Sequence, residues 1–226
     1  MALADALVLA KQVIRHAATA RDLVATFMPR PLEDDPGSGL HIHQMLPHMT
    51  DGPSLTATGR AFVGGLLEHA PGLCPLFAPT VNSYKRLHAT AEAPGAVMWS
   101  HRHRAALVRV GVHGIEFRGA DPAANPYLLF AGLLLAGADG LASRTDPGPA
   151  EDESSGGFDP HVAETRYRPL PRTLDDALDQ LLADDVLLDG IDPMVVGRLV
   201  DGRRAEAEAY RRHVTQWERS RYLTQT

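Results

Sequence analysis

Apolar positions Leu3, Ala6, Leu7, Ala10, Val13, Ile14 and Ala17 recur three and four apart, which predicts an amphipathic helix over residues 2–20. The next apolar run, LVATFM at 23–28, is short and closed by Pro29 and Pro31, and reads as a strand. DDPGSG at 34–39 is turn chemistry. In the strand expected after it, alternation sends Leu40 and Ile42 to the packing side and His41 and His43 to the other. Residues 56–70 carry a second helical pattern, starting near Thr56 or Thr58 and stopped by Pro71. Residues 97–110 and 113–118 read as two strands joined by the tight VGVHG link. Asn125 as N-cap, with Pro126 at the first helical position, opens a long apolar helix to Gly140.

The pattern then breaks. Residues 143–172 are rich in Pro, Gly, Ser and acidic side chains without periodicity, and read as a long exposed loop. Thr173 caps a helix to about 183, and Asp192-Pro193 opens another, weakened near its start by Gly197 and Gly202. The charged C-terminal stretch lies on the surface or packs through Tyr210, Val214 and Trp217. Few strands for the length point to an α+β or mixed α/β class.

Composition narrows the partners. A net charge of −6 and a pI near 6.0 exclude a general nucleic-acid binder, which needs a basic face. The apolar run at 127–138 is too short to span a bilayer, and Asp5 and Lys11 interrupt any secretory leader. The single cysteine, Cys74, excludes an internal disulfide framework. Together these features predict a cytoplasmic protein with no membrane and no nucleic-acid partner.

Three clusters carry candidate chemistry. His41 and His43 share one strand face, and in GIEFRG at 114–119 Glu116 and Arg118 share another. Taken singly, each is most simply a solvated or hydrogen-bonded pair. Taken together, the two strands could meet in one cleft holding imidazole, carboxylate and guanidinium. The third cluster is NSYKRL at 82–87 with Glu92 and SHRHRAALVRV at 100–110, which concentrates Arg86, Arg102, Arg104 and Arg109 in an acidic chain. Arginine forks donate paired hydrogen bonds to carboxylates and phosphoryl oxygens. Leu107, Val108 and Val110 are expected to hold these arginines on a strand, with the helix after Asn125 packed behind.

GSGLHIHQ, NSYKRL with EAP at 92–94, IEFR and DPAANPYLLFAGLLLAGADGL occur in an order and spacing that resemble the glutamine synthetase family, and ATFMPRP upstream fits as well. The resemblance runs from about residue 5 to 142 and continues more loosely beyond. It implies a partial glutamine synthetase-type catalytic domain over 1–142, a curved and largely antiparallel sheet packed with helices. The loop 143–172 and a helical C-terminal part, 173–226, follow in the same domain. An N-terminal β-grasp domain, and the upstream strands that bring most metal-binding glutamates in the family, have no counterpart here.

The resemblance also implies roles. His41 and Glu116 match ligands of a catalytic Mg²⁺ or Mn²⁺, and His43 a nucleotide-contacting position. Gly37, Arg86 and Arg118 match glutamate-binding positions; Arg104 and Arg109 match arginines on ATP phosphates, with Arg104 steadying the transferring phosphoryl group. Glu92 resembles the flap carboxylate that deprotonates the incoming amine. The implied reaction is ATP-dependent: glutamate's γ-carboxylate takes the γ-phosphoryl group, and ammonia displaces phosphate to give glutamine. Pro36, Met45 and His103 depart from the family pattern, as does HATAEAP at 88–94, and fit a variant that ligates a larger amine to glutamate. A non-catalytic remnant that binds nucleotide or a family subunit is the other reading. The implied partners are glutamate, ATP, an amine, and further copies in a homo-oligomer or a chain supplying the N-terminal half.

Overall fold

The computed structural model describes residues 1–88, 93–151 and 166–224. Their helices begin where side chains satisfy the first free N–H groups. Helix α1 spans Ala2–Thr19, and strand β1, Ile42–Gln44, follows a long irregular stretch. A small hairpin of β2 (Thr50–Asp51) and β3 (Ser54–Leu55) turns at Gly52, whose φ of +57° favours glycine. Thr56 accepts from Gly59 N–H and starts α2, Ala57–Glu68. Then come α3 (Ala70–Phe77), α4 (Val81–Leu87, capped by Thr80), β4 (Trp99–Ser100), β5 (Val108–Gly111) and β6 (Gly114–Phe117). Asn125 accepts from Tyr127 and Leu128 N–H and starts α5, Pro126–Ser143. After the loop come α6 (Leu174–Leu182), α7 (Asp185–Gly190), α8 (Pro193–Arg212) and α9 (Gln216–Tyr222).

The main sheet runs β1-β6-β5-β4, antiparallel except for the β4–β5 pair. This is an α+β fold. One sheet face is apolar: Ile42, Val108 and Phe117 align across the strands, and Phe117 packs edge-on against Phe77 of α3 with ring centroids 5.2 Å apart. The core continues through α3 into α5 and α6. α5 crosses α2 closely because small residues meet there. A Cβ on Gly65 would lie 2.1 Å from Ala136 O, and one on Gly140 would lie 2.3 Å from Ala61 O. The principal neighbour of α5 is therefore α2, and not the strand pair expected to lie in front of it. By length and composition α5 could cross a membrane, contrary to the shorter span read from sequence. Its Leu129, Leu133 and Ala136 are instead buried in this core.

Several other expectations change. Residues 23–28 form no strand; Val24 is 95% exposed, and no neighbouring strand is present among the described residues to pair with it. Pro71 does not end the second helical pattern but occupies the first turn of α3, where its missing N–H costs nothing. The span 97–110 is two short strands separated by a loop, so only Arg109 of its arginines sits on a strand. The α1 helix forms, yet its apolar stripe is exposed. The described parts of 143–172 are not all exposed either. Leu170 is buried, and Glu151 is 5% exposed with its N–H donated to Trp99 O. Tyr210, Val214 and Trp217 are exposed, so the C-terminal stretch takes the surface alternative.

His69 joins α2 to α3 and clasps the helical layer. Its Nδ1 lies 2.8 Å from Asp184 Oδ2 and its Nε2 3.1 Å from Asp139 Oδ2. The hydrogen bond to Asp184, helped by Asp139 and opposed by desolvation, raises the imidazole pKa above its usual value. A raised folded-state pKa stabilises the fold fully below the unfolded value near 6.5, and that contribution fades as pH rises through the higher folded value. His69→Gln is expected to remove this pH-dependent component and lower stability by about 1–3 kcal/mol on the acidic side. Urea unfolding followed across the neutral range checks both the size and the sign.

Candidate functional site

The polar face of the sheet is set by register. His43, Glu116 and Arg109 are paired across β1, β6 and β5, so their side chains leave one face together. His41 and Arg118, two residues along from His43 and Glu116, return to the same face. Alternation along HIH and IEFR therefore assembles the cluster.

Glu116 is its centre. Arg118 Nη1 donates to Glu116 Oε1 at 2.8 Å, and His41 Nδ1 lies 2.8 Å from the same oxygen. Arg109 Nη2 lies 2.5 Å from Oε2, close enough for charge pairing but without hydrogen-bond alignment, so this buried oxygen has no hydrogen-bond partner. The side chains of Glu116 and Arg118 are 7% and 8% exposed, while those of His41 and Arg109 are both 36% exposed. The cluster thus has a dry floor and an open mouth. Desolvation, with the nearby Arg118 charge, lowers the His41 pKa, and Glu116 offsets part of that. At neutral pH His41 is the uncharged imidazole a metal requires. With Nδ1–H donated to Glu116, the lone pair on Nε2 is left for another atom.

Arg86 works from behind. At 5% exposure it donates from Nη1 to Gly119 O at 2.8 Å and from Nη2 to Arg118 O at 3.2 Å. It fits there because Gly37 has no side chain; a Cβ on Gly37 would meet Arg86 Cγ at 2.9 Å and Pro29 O at 2.6 Å. Arg118 is held a second time, by Nε donation to Arg104 O at 2.7 Å. What Arg104 brings to the cluster is this carbonyl; its side chain is exposed, as is that of Arg102. The loop that carries them is folded by Ser100 Oγ, which accepts from Arg102 and His103 N–H. His43 is exposed beside the mouth. Glu92 lies outside the described residues. The structure thus brings His41, Arg109, Glu116 and Arg118 together, with Arg86 and Gly37 directly behind them.

Asp121 was missed in the sequence reading. It is fully buried, and burial raises its pKa to about 6, with Ser83, Ala123 N–H, Arg86 and Lys11 pulling the other way. It supplies negative charge behind Arg86. The signal was an Asx turn in DPAA, where Asp121 Oδ1 accepts from Ala123 N–H at 2.9 Å.

These donors suit part of an ion's shell. His41 Nε2 and Glu116 Oε2, which pairs with Arg109 but accepts no hydrogen bond, are the mixed nitrogen and oxygen set that divalent manganese or magnesium accepts. Among the described residues no group of three or more His, Cys, Asp or Glu is arranged to hold a metal ion. Two guanidinium groups also compete for Glu116. A dication beside them needs added negative charge, from phosphate or further carboxylates.

One face of this α+β sheet thus carries convergent imidazole, carboxylate and guanidinium groups. The family described as "Glutamine synthetase, catalytic domain" matches residues 1–222. The chain belongs to the glutamine synthetase family and corresponds to the C-terminal part of its relatives. It is 37% identical to the glutamine synthetase of Halobacterium salinarum over 97% of its own length and 52% of the relative's. With that of Archaeoglobus fulgidus it shares 37% identity over 97% of this chain and 49% of the relative. The chain therefore spans about half the length of the curated relatives it matches. A solved structure described as "GmaS/ADP complex-Conformation 1" superposes with a TM-score of 0.87 at 35% identity, covering 97% of this chain and 54% of the other. Another, described as "Apo GmaS without ligand", gives 0.84 at 35% identity over 98% and 53%.

Proposed function

We propose that this chain forms the C-terminal part of the active site of an ATP-dependent ligase that joins the γ-carboxylate of glutamate to ammonia through γ-glutamyl phosphate. The observation that carries the reading is the convergence of His41, Arg109 and Arg118 on Glu116 across one sheet face, in a chain of this family. Phosphoryl transfer to a carboxylate brings anion toward anion, so the site must supply positive charge that is already in place. Arg109 stands at the open mouth on a strand and is suited to the nucleotide's terminal phosphate. Arg104, on the loop beside it, is assigned to the transferring phosphoryl group by the family resemblance. Arg118, fixed by Glu116 and Arg104 O, is suited to the substrate carboxylate. Arg86 and Gly37 hold the backbone that carries it. His43 borders the nucleotide, and Glu92 accepts the proton of the incoming amine.

His41 and Glu116 would hold the divalent cation, Mg²⁺ or Mn²⁺, which when bound neutralises phosphate charge. The resemblance to a chain described in complex with ADP favours a nucleotide ligand. The cytoplasm, glutamate, ATP and a homo-oligomeric assembly belong to the same reading. So does the division into a partial catalytic domain at 1–142, a connecting loop at 143–172 and a helical part at 173–226. The departures at Pro36, Met45 and His103 favour a second reading in which a larger amine replaces ammonia.

The test is phosphate release from ATP by the chain joined, at Met1, to the unmatched N-terminal portion of the Halobacterium salinarum relative. Release that needs glutamate, divalent metal and ammonia is expected, with the isolated chain inactive. Preference for ethanolamine or a polyamine selects the second reading. Nucleotide binding without any amine-dependent release contradicts both.

A further inference from the structure

We infer that the groove between α4, α6 and α8 is a binding site for a small aromatic carboxylate. The site is separate from the cluster around Glu116 and does not rest on the ligase reading.

The three helices are tied together without closing over the space between them. Val81 N–H, in the first turn of α4 and without an intrahelical partner, donates to Glu206 Oε1 of α8 at 3.0 Å. Arg203 holds the other oxygen of Glu206 at 2.6 Å. Arg211 of α8 pairs with Asp175 of α6. Beside these ties lies a groove of about 460 Å³, within the range of small-molecule sites. Its apolar wall is Val81, Tyr84, Leu174, Ala207 and Tyr210. Leu174 and Ala207 are buried parts of the core, so this wall is anchored. Tyr210 is 43% exposed, and the Lys85 ammonium rests 5.0 Å from its ring centroid.

Tyr84 is the unusual member of the wall. It is 5% exposed, and among the described residues its buried hydroxyl has no hydrogen-bond partner. A buried hydroxyl left unpaired costs stability, and an acceptor entering from the groove would relieve that cost. Burial pushes the Tyr84 pKa well up, and Cys74, Asp121 and Asp176 add to the shift, so the hydroxyl keeps its proton and can only gain from an anionic acceptor.

The rim selects the charge of the ligand. Lys85, Arg172 and Arg211 outnumber Asp175 and Asp176 there, and Asp175 is already paired with Arg211. Lys85 has no carboxylate partner among the described residues. The first turn of α6, capped by Thr173, adds the partial positive charge of a helix N-terminus. A carboxylate beside Lys85, with its ring against Tyr210 and Leu174, uses all of these features. An amine would meet the Lys85 charge and find Asp176 as its one unpaired acid. Lys85 also precedes Arg86, which holds the Arg118 and Gly119 carbonyls. The ligand is therefore seated on the helix that carries this anchor.

Calorimetric titration of the isolated chain with naphthylacetate tests the site. A Kd of about 1 mM or tighter is expected for a ligand of this size. Naphthylethanol and naphthylethylamine should bind at least tenfold more weakly. Lys85 is exposed, so Lys85→Ala should fold normally and lose at least tenfold in affinity, with Lys85→Arg restoring most of it. Met194→Glu, exposed elsewhere on α8, should bind as the wild type does. Absence of binding, equal binding of the alcohol or the amine, or full affinity in Lys85→Ala overturns the proposal. Binding that Arg109→Ala removes and Lys85→Ala does not belongs to the sheet cluster, and overturns it too. So does self-association of the chain that Tyr210→Glu abolishes, because a second copy then fills the groove.

Discussion

Glu116→Ala is expected to lower the stability of this chain by about 3–5 kcal/mol, the range for removing one partner of a buried ion pair. Arg118 is 7% exposed, and its counter-charge in the cluster is Glu116. Without the carboxylate, the Arg118, Arg109 and partly desolvated His41 side chains face one another with only solvent at the mouth to separate the charges. The cost is therefore that of an uncompensated buried cation, well beyond that of one lost hydrogen bond. Glu116→Gln keeps the shape and one acceptor oxygen, and should recover part of the loss. Guanidinium unfolding of the three proteins orders them wild type, Gln, Ala. Equal stability of wild type and Ala would mean that the guanidinium groups do not depend on Glu116.

Arg86→Lys is the second large effect, and it separates holding from binding. One guanidinium reaches both Gly119 O and Arg118 O; an ammonium on a shorter head cannot span them with the same pair of bonds. The loss is about 2–4 kcal/mol, from weakened bonds to buried carbonyls and a less satisfied charge. Asp121 adds to it, because Arg86 is one of the charges that counter the upward pull of burial on its pKa. If Arg86 acts by holding the Arg118 backbone, the substitution destabilises the isolated chain without any ligand present. If its task were confined to gripping substrate, thermal unfolding of the unliganded protein would be unchanged.

The site was legible where chemistry follows alternation. HIH and IEFR each put their polar residues on one face, and antiparallel pairing with a fixed register did the rest. Helix starts were legible because Thr56, Asn125, Thr173 and Asp192 place acceptors on free N–H groups. Strands were less so, since a strand exists only with a neighbour. LVATFM has the right residues and no partner, and the run 97–110 is cut where Ser100 folds a loop. Burial of Asp121 and the double anchoring of Arg118 depend on contacts between distant segments, which no local pattern encodes. The α1 stripe was correctly spaced for a helix, but spacing does not say how much of it the folded chain covers.

The central claim is that His41 and Glu116 share a divalent cation with nucleotide phosphate over this sheet face. Manganese binding, read from the loss of the free-ion paramagnetic resonance signal with ADP present, tests it on the Met1 fusion. His41→Ala and Glu116→Gln should each weaken ADP-dependent manganese binding at least tenfold, about 1.4 kcal/mol or more, while Met194→Glu leaves it unchanged. Manganese affinity that is the same in all four proteins would contradict the account.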